Sequence, residues 1–214
     1  MDTHSKKHHK ADLCIVGGGV SGLCAAVAAA RRGIKVVLVH DRPVLGGNAS
    51  SEIRMWILGC RGENNRETGI IEEIFLSNMY RNPYKNYSIW DSILYEAVKM
   101  EENITLLLNT SCCDVVMDKN KIVSIKAWQL TTYTWHTIEA KLFSDCSGDS
   151  ILAPLTGAEY RVGREASHEF GEDIAPEKAD KKTMGLSCLL QARETGKPVE
   201  FIAPSWAMKI ESDD

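Results

Sequence analysis

The sequence predicts an α/β fold with a mostly parallel sheet, and three observations support this prediction. Residues 13–16 form a short apolar run, residues 21–32 form a segment rich in alanine, and residues 35–39 form a second apolar run. The first run is too short for a helix and is typical of a buried parallel strand, whereas alanine has the highest helix propensity. Strand, helix and strand in this order form the unit from which parallel sheets are built.

Glycines separate the first strand from the helix, with the pattern G-x-G-x-x-G at Gly17, Gly19 and Gly22. In a dinucleotide site the first glycine makes the tight turn, the second lets the backbone approach a pyrophosphate, and the third lets the helix pack closely on the strand. The helix then begins near Val20 and Ser21, where free N–H groups and the helix dipole favour a phosphate. We therefore predict that these five residues bind a dinucleotide.

An acidic residue follows the second strand, as a dinucleotide site requires. Asp41 lies 19 residues beyond Gly22, close to the spacing of about 20 at which such an acid binds the adenosine ribose. The alternative is a glycine-rich turn in an unrelated α/β protein.

Composition excludes several classes of partner and site. The formal net charge is −4 and the pI is about 5.9, so no basic surface favours nucleic acid or an anionic membrane. We expect a small-molecule partner. The chain has 7 cysteines; an odd count without C-x-x-C spacing disfavours a disulfide framework, a metal site and a redox dithiol.

Residues 1–10 are polar, and we expect them to form a flexible leader. Lysines here precede an uncharged run over residues 13–30, which superficially resembles a secretory signal peptide. Asp12 and the glycines interrupt that run, and cleavage would remove the first strand. The expectation is an unprocessed, cytoplasmic protein.

A longer match begins where the second strand ends. Residues 41–54 are Asp-Arg-Pro-Val-Leu-Gly-Gly-Asn-Ala-Ser-Ser-Glu-Ile-Arg. A dinucleotide fold followed by this segment resembles the bacterial FAD-dependent oxidoreductases, a branch of the glutathione-reductase-like superfamily. The resemblance implies an FAD cofactor, with Gly46 and Gly47 against its flavin side and with Arg42, Asn48 and Ser50 also in the site.

The chain departs from that family at the end of the second strand. Related sites usually have a glutamate where this chain has His40. A shift of one residue on a strand reverses the direction of the side chain. Either His40 or Asp41 is therefore the ribose ligand, with Asp41 as the first choice.

The middle of the chain predicts further elements. Residues 52–58 alternate polar and apolar, which indicates a short strand or extended segment, and Glu52 and Arg54 either pair in solvent or line the pocket. Helical spacing of apolar residues predicts helices over 67–80 and 89–100. A buried strand is expected at 104–108.

Three antiparallel strands are predicted next, over residues 112–117, 121–130 and 133–140. The chain then returns to the parallel sheet over 142–150, which reads Leu-Phe-Ser-Asp-Cys-Ser-Gly-Asp-Ser. This segment resembles the Asp-Ala-Thr-Gly-Asp-Gly signature of the same family. The resemblance implies that Gly148 and Asp149 approach the cofactor; Ser150 stands where glycine is more usual.

The predicted organisation is a Rossmann-like FAD-binding domain over residues 11–160, with a parallel sheet and an antiparallel three-stranded meander, and the start of a second, substrate-binding domain over 161–214. Members of the family are longer. We therefore expect a truncated chain whose FAD domain is incomplete and whose exposed apolar surface favours self-association.

The resemblance implies an FAD-dependent oxidoreductase that moves electrons or hydride between the flavin and an unidentified small molecule. No catalytic residue and no metal ligand is assigned. Two alternatives remain: an FAD-binding or nucleotide-binding fragment without turnover, and an NAD-dependent dehydrogenase with a plain Rossmann fold.

Overall fold

The computed structural model describes residues 4–60, 62–184, 194–200 and 202–208. A single six-stranded sheet forms its centre. The strands are β1 (Ser5–Val16), β2 (Val36–Val39), β3 (Ile104–Leu107), β4 (Thr110–Asp118), β5 (Lys121–Gln129) and β6 (Thr134–Asp145). Their order across the sheet is β3-β2-β1-β6-β5-β4. The first four strands in that order are parallel, and β5 and β4 extend the sheet in antiparallel fashion.

Five helices accompany the sheet in the described residues: α1 (Val20–Ala30), α2 (Gly69–Arg81), α3 (Tyr87–Lys99), α4 (Leu152–Thr156) and α5 (Ser167–Phe170). The first three agree with the predicted helices to within two residues. Within the described ranges, no helix is both long and apolar enough to cross a membrane.

Both faces of the parallel strands are buried, as the continuous apolar runs predict. On one face, Ile15 and Leu38 pack with Leu23 of α1 and Leu94 of α3. On the other face, the alternate residues of β1 and β2 pack against the antiparallel strands and α4: Cys14, Val16, Val37, Val39, Ile125, Ile138 and Leu152. The core therefore holds the carboxyl ends of β1 and β2 in fixed positions.

The leader predicted over residues 1–10 is wrong from residue 5 onward. β1 begins at Ser5, and its first residues pair in parallel with β6 from Thr134. The physical reason is the free edge of β6, whose backbone N–H and C=O groups these residues satisfy. A hydrogen bond of 2.8 Å between His9 Nε2 and His136 Nδ1 adds to the pairing. Polar composition alone did not reveal this strand.

The predicted third meander strand and the predicted returning strand are one continuous strand, β6. Its first half pairs with β5 in antiparallel fashion, and nearly its whole length pairs with β1. Residues 52–58, one option for which was a strand, contain a turn followed by irregular extended chain. Residues 183–191 are apolar enough for a further strand, but residues 185–191 lie outside the described residues.

Candidate cofactor-binding site

A cleft of about 530 Å³ opens at the carboxyl ends of β1, β2 and β6. The chain leaves β1 towards β2 on one side, whereas β6 lies on the other, so this is the switch point at which open α/β sheets bind ligands. Most of the residues predicted from sequence line it: Gly17, Gly19, Val20, Ser21, His40, Asp41, Arg42, Gly46, Gly47, Asn48, Gly148 and Asp149. The structure therefore brings together residues from three separate segments.

Two predicted residues, Gly22 and Ser50, do not line the cleft. Ser50 is fully buried; its hydroxyl donates to the carbonyl of Gly47 at 2.7 Å and accepts from the amide of Glu52 at 3.3 Å. Gly22 lies where α1 contacts the preceding turn. Both residues lie behind the cleft and contact the main chain that lines it.

The three motif glycines face different surroundings. A Cβ on Gly17 would lie 2.1 Å from the carbonyl oxygen of Cys146, and φ is +108° there. A Cβ on Gly22 would lie 1.9 Å from the carbonyl oxygen of Gly17. In contrast, a Cβ on Gly19 would meet no atom within 4 Å. Packing therefore requires the outer two glycines, whereas Gly19 leaves open space above the cleft floor.

The amino terminus of α1 faces this open space. The first intrahelical hydrogen bond runs from the amide of Leu23 to the carbonyl of Gly19 at 2.9 Å. The N–H groups of Val20, Ser21 and Gly22 precede that bond and have no acceptor within the helix. The first turn also carries no acidic residue. This end of the helix therefore suits an anion.

His40 is a structural residue that joins three segments. Its Nδ1 accepts a hydrogen bond from the amide of Gly18 at 2.9 Å, so Nε2 carries the proton and donates to the carbonyl of Val44 at 3.0 Å. Only 5% of the residue is exposed, and burial lowers the pKa of the imidazole. Both ring nitrogens are thus committed, and the neutral form is favoured.

Asp41, by contrast, has a side chain that is 60% exposed at the cleft. Its carboxylate lies 3.5 Å from His40 Nδ1. Because Nδ1 is already an acceptor, this contact is no ion pair. The carboxylate of Asp41 is therefore available to a ligand, whereas the ring of His40 is not.

A smaller pocket of about 170 Å³ adjoins the cleft beside Asp41, and sequence reasoning missed it. Its other walls include Thr110, Ser111 and Cys112 at the start of β4. The amide of Thr110 donates to the carbonyl of His40 at 2.8 Å, which fixes β4 beside the end of β2. Burial raises the pKa of the Cys112 thiol to about 12, so this thiol stays protonated. The sequence did not predict this proximity, which arises because β4 begins three residues after β3, the neighbour of β2 in the sheet.

The loop after β2 forms the opposite side of the cleft. The amide of Gly46 donates to the carbonyl of Gly18 at 2.9 Å, so the loop is hydrogen-bonded to the glycine turn. The amide of Met55 donates to the carbonyl of Asn48 at 2.8 Å and closes the loop on itself. The residues that follow form a wall of the cleft that sequence reasoning also missed: Met55, Trp56 and Ile57.

Glu52 and Arg54 separate, although the sequence left them together as either a solvated pair or pocket residues. Glu52 lines the cleft and lies 3.7 Å from the guanidinium of Arg42. Arg54 turns away, with its guanidinium 5.5 Å from the ring centroid of Tyr87.

The turn after β6 presents Gly148 and Asp149 to the cleft. Asp145 holds the turn: one carboxylate oxygen accepts from the amide of Ser147 at 3.0 Å, and the other accepts from the amide of Leu152 at 2.8 Å. Ser150 has φ of +53°, a left-handed conformation that glycine adopts most easily. This explains why glycine is more usual there, and it leaves Asp149 in place.

In the described part of the chain, no group of three or more His, Cys, Asp or Glu side chains is arranged to hold a metal ion.

Cys60 is exposed and donates to a carboxylate oxygen of Glu67 at 3.3 Å. That hydrogen bond raises the pKa of the thiol. A reactive thiolate is therefore disfavoured.

Comparison with known proteins gives short sequence matches and broader structural matches. A glycerol-3-phosphate dehydrogenase of Mycobacterium leprae (strain TN) is 39% identical over 62 residues, which are 29% of this chain and 11% of that protein. A fumarate reductase (cytochrome) of Shewanella frigidimarina is 44% identical over 45 residues, 21% of this chain and 8% of that protein. The matched segments thus span only a small part of these relatives.

The crystal structure of Thermovibrio ammonificans THI4 superposes with a TM-score of 0.51 at 18% identity, over 79% of this chain and 76% of that chain. At this identity the likeness shows a shared fold, the FAD-binding Rossmann-like fold. The sequence profile of the family described as FAD dependent oxidoreductase matches residues 12–210. The chain therefore belongs to the FAD-dependent oxidoreductase family, and FAD, the cofactor predicted from sequence, is the cofactor of that family.

Proposed function

We propose that this chain binds FAD in the cleft and that the bound flavin exchanges electrons or hydride with a small-molecule substrate. The observation that carries the proposal is the contrast among the motif glycines. Gly17 and Gly22 are closed in by main-chain atoms, whereas Gly19 alone faces open space at the start of α1. Packing gives no reason for glycine at this second position of the motif, whereas close approach of a pyrophosphate does.

The residues present suit each part of FAD. The N–H groups of Val20 and Ser21 would hold the pyrophosphate, and the helix dipole would offset its charge. The carboxylate of Asp41 would accept hydrogen bonds from the ribose hydroxyls, with the adenine towards the smaller pocket at Ser111. The glycine pair and the wall formed by residues 55–57 would flank the flavin ring. Arg42, which lines the cleft, supplies a further positive charge near the anionic cofactor.

FAD supplies the redox chemistry when bound; the protein's part is binding, orientation and electrostatics. Apolar side chains at Met55, Trp56 and Ile57 would exclude water from one side of the ring. His40 contributes by holding the glycine turn through its neutral Nδ1, which keeps the anion-binding N–H groups aimed at the cleft.

The test is to incubate the purified chain with excess FAD, remove free cofactor, and record the visible spectrum and the flavin content; NAD is tested in parallel. We expect bound flavin that a chemical donor reduces. Binding of NAD in place of FAD would support the plain dehydrogenase, and bound flavin that no donor reduces would support a binder without turnover. The Gly19→Val variant is the control, because it should fold and bind neither.

We also propose that copies of the chain associate through an exposed apolar stripe on α2. Leu76, Met79 and Tyr80 are 58%, 73% and 89% exposed, and their spacing places them on one helix face. Sedimentation velocity at increasing concentration tests this, and Met79→Lys should shift the distribution towards monomer. A monomer at all concentrations would contradict it.

A cytoplasmic location is the remaining proposal. It is supported by the free thiols of the cysteines that the structure describes, since reducing compartments keep thiols in this state. Fractionation of cells that express the protein tests it, and recovery outside the cytoplasm would contradict it.

A further inference from the structure

We infer that α3 positions the wall of the cleft formed by residues 55–57, through the side chains of Tyr87, Trp90 and Asp91. The inference rests on the proposed function, because it assigns these three residues to the flavin end of an FAD site. None of them lines the main cleft, so their role is to position other residues. The side-chain hydrogen bonds of all three fall on the segment between the glycine pair and the wall.

Trp90 and Asp91 hold the peptide units at residues 49–51 from two directions. The indole Nε1 of Trp90 donates to the carbonyl of Ala49 at 2.8 Å, and a carboxylate oxygen of Asp91 accepts from the amide of Ser51 at 3.0 Å. Trp90 and Asp91 are 3% and 9% exposed. Water therefore cannot easily replace either bond, and the segment is fixed relative to α3.

Tyr87 holds the point at which the chain turns into the wall. Its hydroxyl donates to the carbonyl of Arg54 at 2.9 Å, and its ring centroid lies 4.9 Å from that of Trp56. Arg54 has φ of +62°, a left-handed conformation that a non-glycine residue adopts at some cost. The contacts with Tyr87 offset that cost and set the direction in which Met55 leaves the turn.

These contacts matter because close packing fixes only Ile57 of the wall, which packs against the core. Met55 and Trp56 are 55% and 47% exposed. The wall also borders an apolar groove of about 250 Å³, whose other sides include Phe75 and Met79 of α2. Interior side chains are usually held by dense packing, and a groove supplies no contacts on that side. Hydrogen bonds to α3 therefore add to the Met55–Asn48 main-chain bond and to the packing of Ile57 in setting the position of the wall.

Two variants and a matched control test the inference. Tyr87→Phe and Trp90→Phe each remove one hydrogen-bond donor and keep an aromatic ring; Tyr95→Phe removes an exposed hydroxyl from the same helix and serves as the control. The measurements are the Kd for FAD, the visible spectrum of the bound flavin and the melting temperature. One lost hydrogen bond should raise Kd by about two- to tenfold. We also expect a shifted flavin spectrum in both variants and neither change in the control.

The outcomes separate this inference from the proposed function. If the unmodified chain binds no FAD, the proposed function is wrong and the inference fails with it. If the unmodified chain binds FAD and both variants match Tyr95→Phe in Kd and spectrum, the inference alone is overturned. Lower melting temperatures with unchanged Kd and spectrum would also overturn it, since they indicate a purely structural role.

Discussion

The two sides of the cleft are built in different ways. At the glycine turn, residues 17–22, main-chain atoms pack closely against other main-chain atoms. A Cβ added at Gly17 or Gly22 would lie about 2 Å from a carbonyl oxygen. At the loop over residues 46–57, side chains of a separate helix hold the chain by single hydrogen bonds. A main-chain clash cannot be relieved by rotating a side chain, whereas a lost side-chain bond costs only about 1 kcal/mol. The side of the cleft formed by the glycine turn is therefore rigid, and the side formed by residues 46–57 is adjustable.

The largest effect is expected at Gly22. Gly22→Ala places a Cβ 1.9 Å from the carbonyl oxygen of Gly17, so α1 must move off the sheet. Overpacking of this kind costs about 3 kcal/mol or more of unfolding free energy. Urea unfolding measures it, with Ala28→Ser at an exposed position of α1 as the control. Equal stability of Gly22→Ala and the control would show that the turn is less rigid than its contacts indicate.

Gly19 should separate binding from folding. Gly19→Val adds bulk in open space, and the backbone there, with φ of −61° and ψ of 176°, suits any residue. We expect the unfolding free energy to change little and FAD affinity to fall by more than about 100-fold, or about 2.7 kcal/mol. Titration with FAD and urea unfolding measure the two quantities on one sample. Unchanged FAD affinity would show that the pyrophosphate does not bind at this turn.

Asp41 should have an intermediate effect. Loss of hydrogen bonds to a charged group costs about 1.5 to 3 kcal/mol, so Asp41→Ala should weaken FAD binding by that amount without altering the fold. Asp118→Ala, an exposed acid at the distant turn between β4 and β5, is the control. If His40→Asn weakens binding at neutral pH and Asp41→Ala does not, the ribose ligand has been placed one residue too late.

The smallest effect is expected from a change of pH. Comparing the pH dependence of FAD affinity with that of stability distinguishes His40 in the cleft from the histidines further along the sheet. Burial lowers the pKa of His40 from its ordinary value of 6.5. As pH falls below 6.5, the unfolded chain takes up a proton that the folded chain excludes, so the folded state loses stability until pH reaches the lowered pKa. Protonation of Nδ1 in the folded chain would also release Gly18, so FAD affinity should fall only as pH approaches and passes the lowered pKa.

Two other histidines contribute to stability in the same direction but lie away from the cleft. Burial lowers the pKa of His136 to about 4 and also lowers the pKa of His9. Stability measured against pH therefore reports all three, whereas FAD affinity should report His40. His40→Asn keeps an acceptor for Gly18 and cannot titrate, so its FAD affinity should not fall where that of the unmodified chain does, at pH values near and below the lowered pKa. A fall equal to that of the unmodified chain would contradict this role.

The sequence predicted the first strand, the glycine turn and the helix after it well, because their geometry follows from local spacing. Gly17, Gly19 and Gly22 lie within six residues, and strand, turn and helix place them without help from distant residues. The wall at Met55–Ile57 and the pocket at Ser111 were missed because each depends on an element far away in the chain. The leader was misjudged for the same reason, since its partner strand β6 lies more than 120 residues further on.

His40 illustrates the limit most clearly. From the sequence, His40 at the end of β2 is a departure from the family pattern. The sequence therefore leaves two candidates for the ribose ligand, His40 and Asp41. Only the folded chain shows that Gly18 and Val44 occupy both ring nitrogens, which leaves Asp41 exposed. Hydrogen bonds from a side chain to a remote main-chain group leave no periodic signal in the sequence.

A crystal structure of the chain grown with FAD tests the central claim most directly. The account predicts the pyrophosphate within hydrogen-bond distance of the Val20 and Ser21 amides, a ribose hydroxyl on the Asp41 carboxylate, and the flavin ring between Gly46–Gly47 and the wall at residues 55–57. Such distances are about 2.7 to 3.2 Å. A pyrophosphate bound elsewhere, or an adenosine that does not contact Asp41, would contradict it.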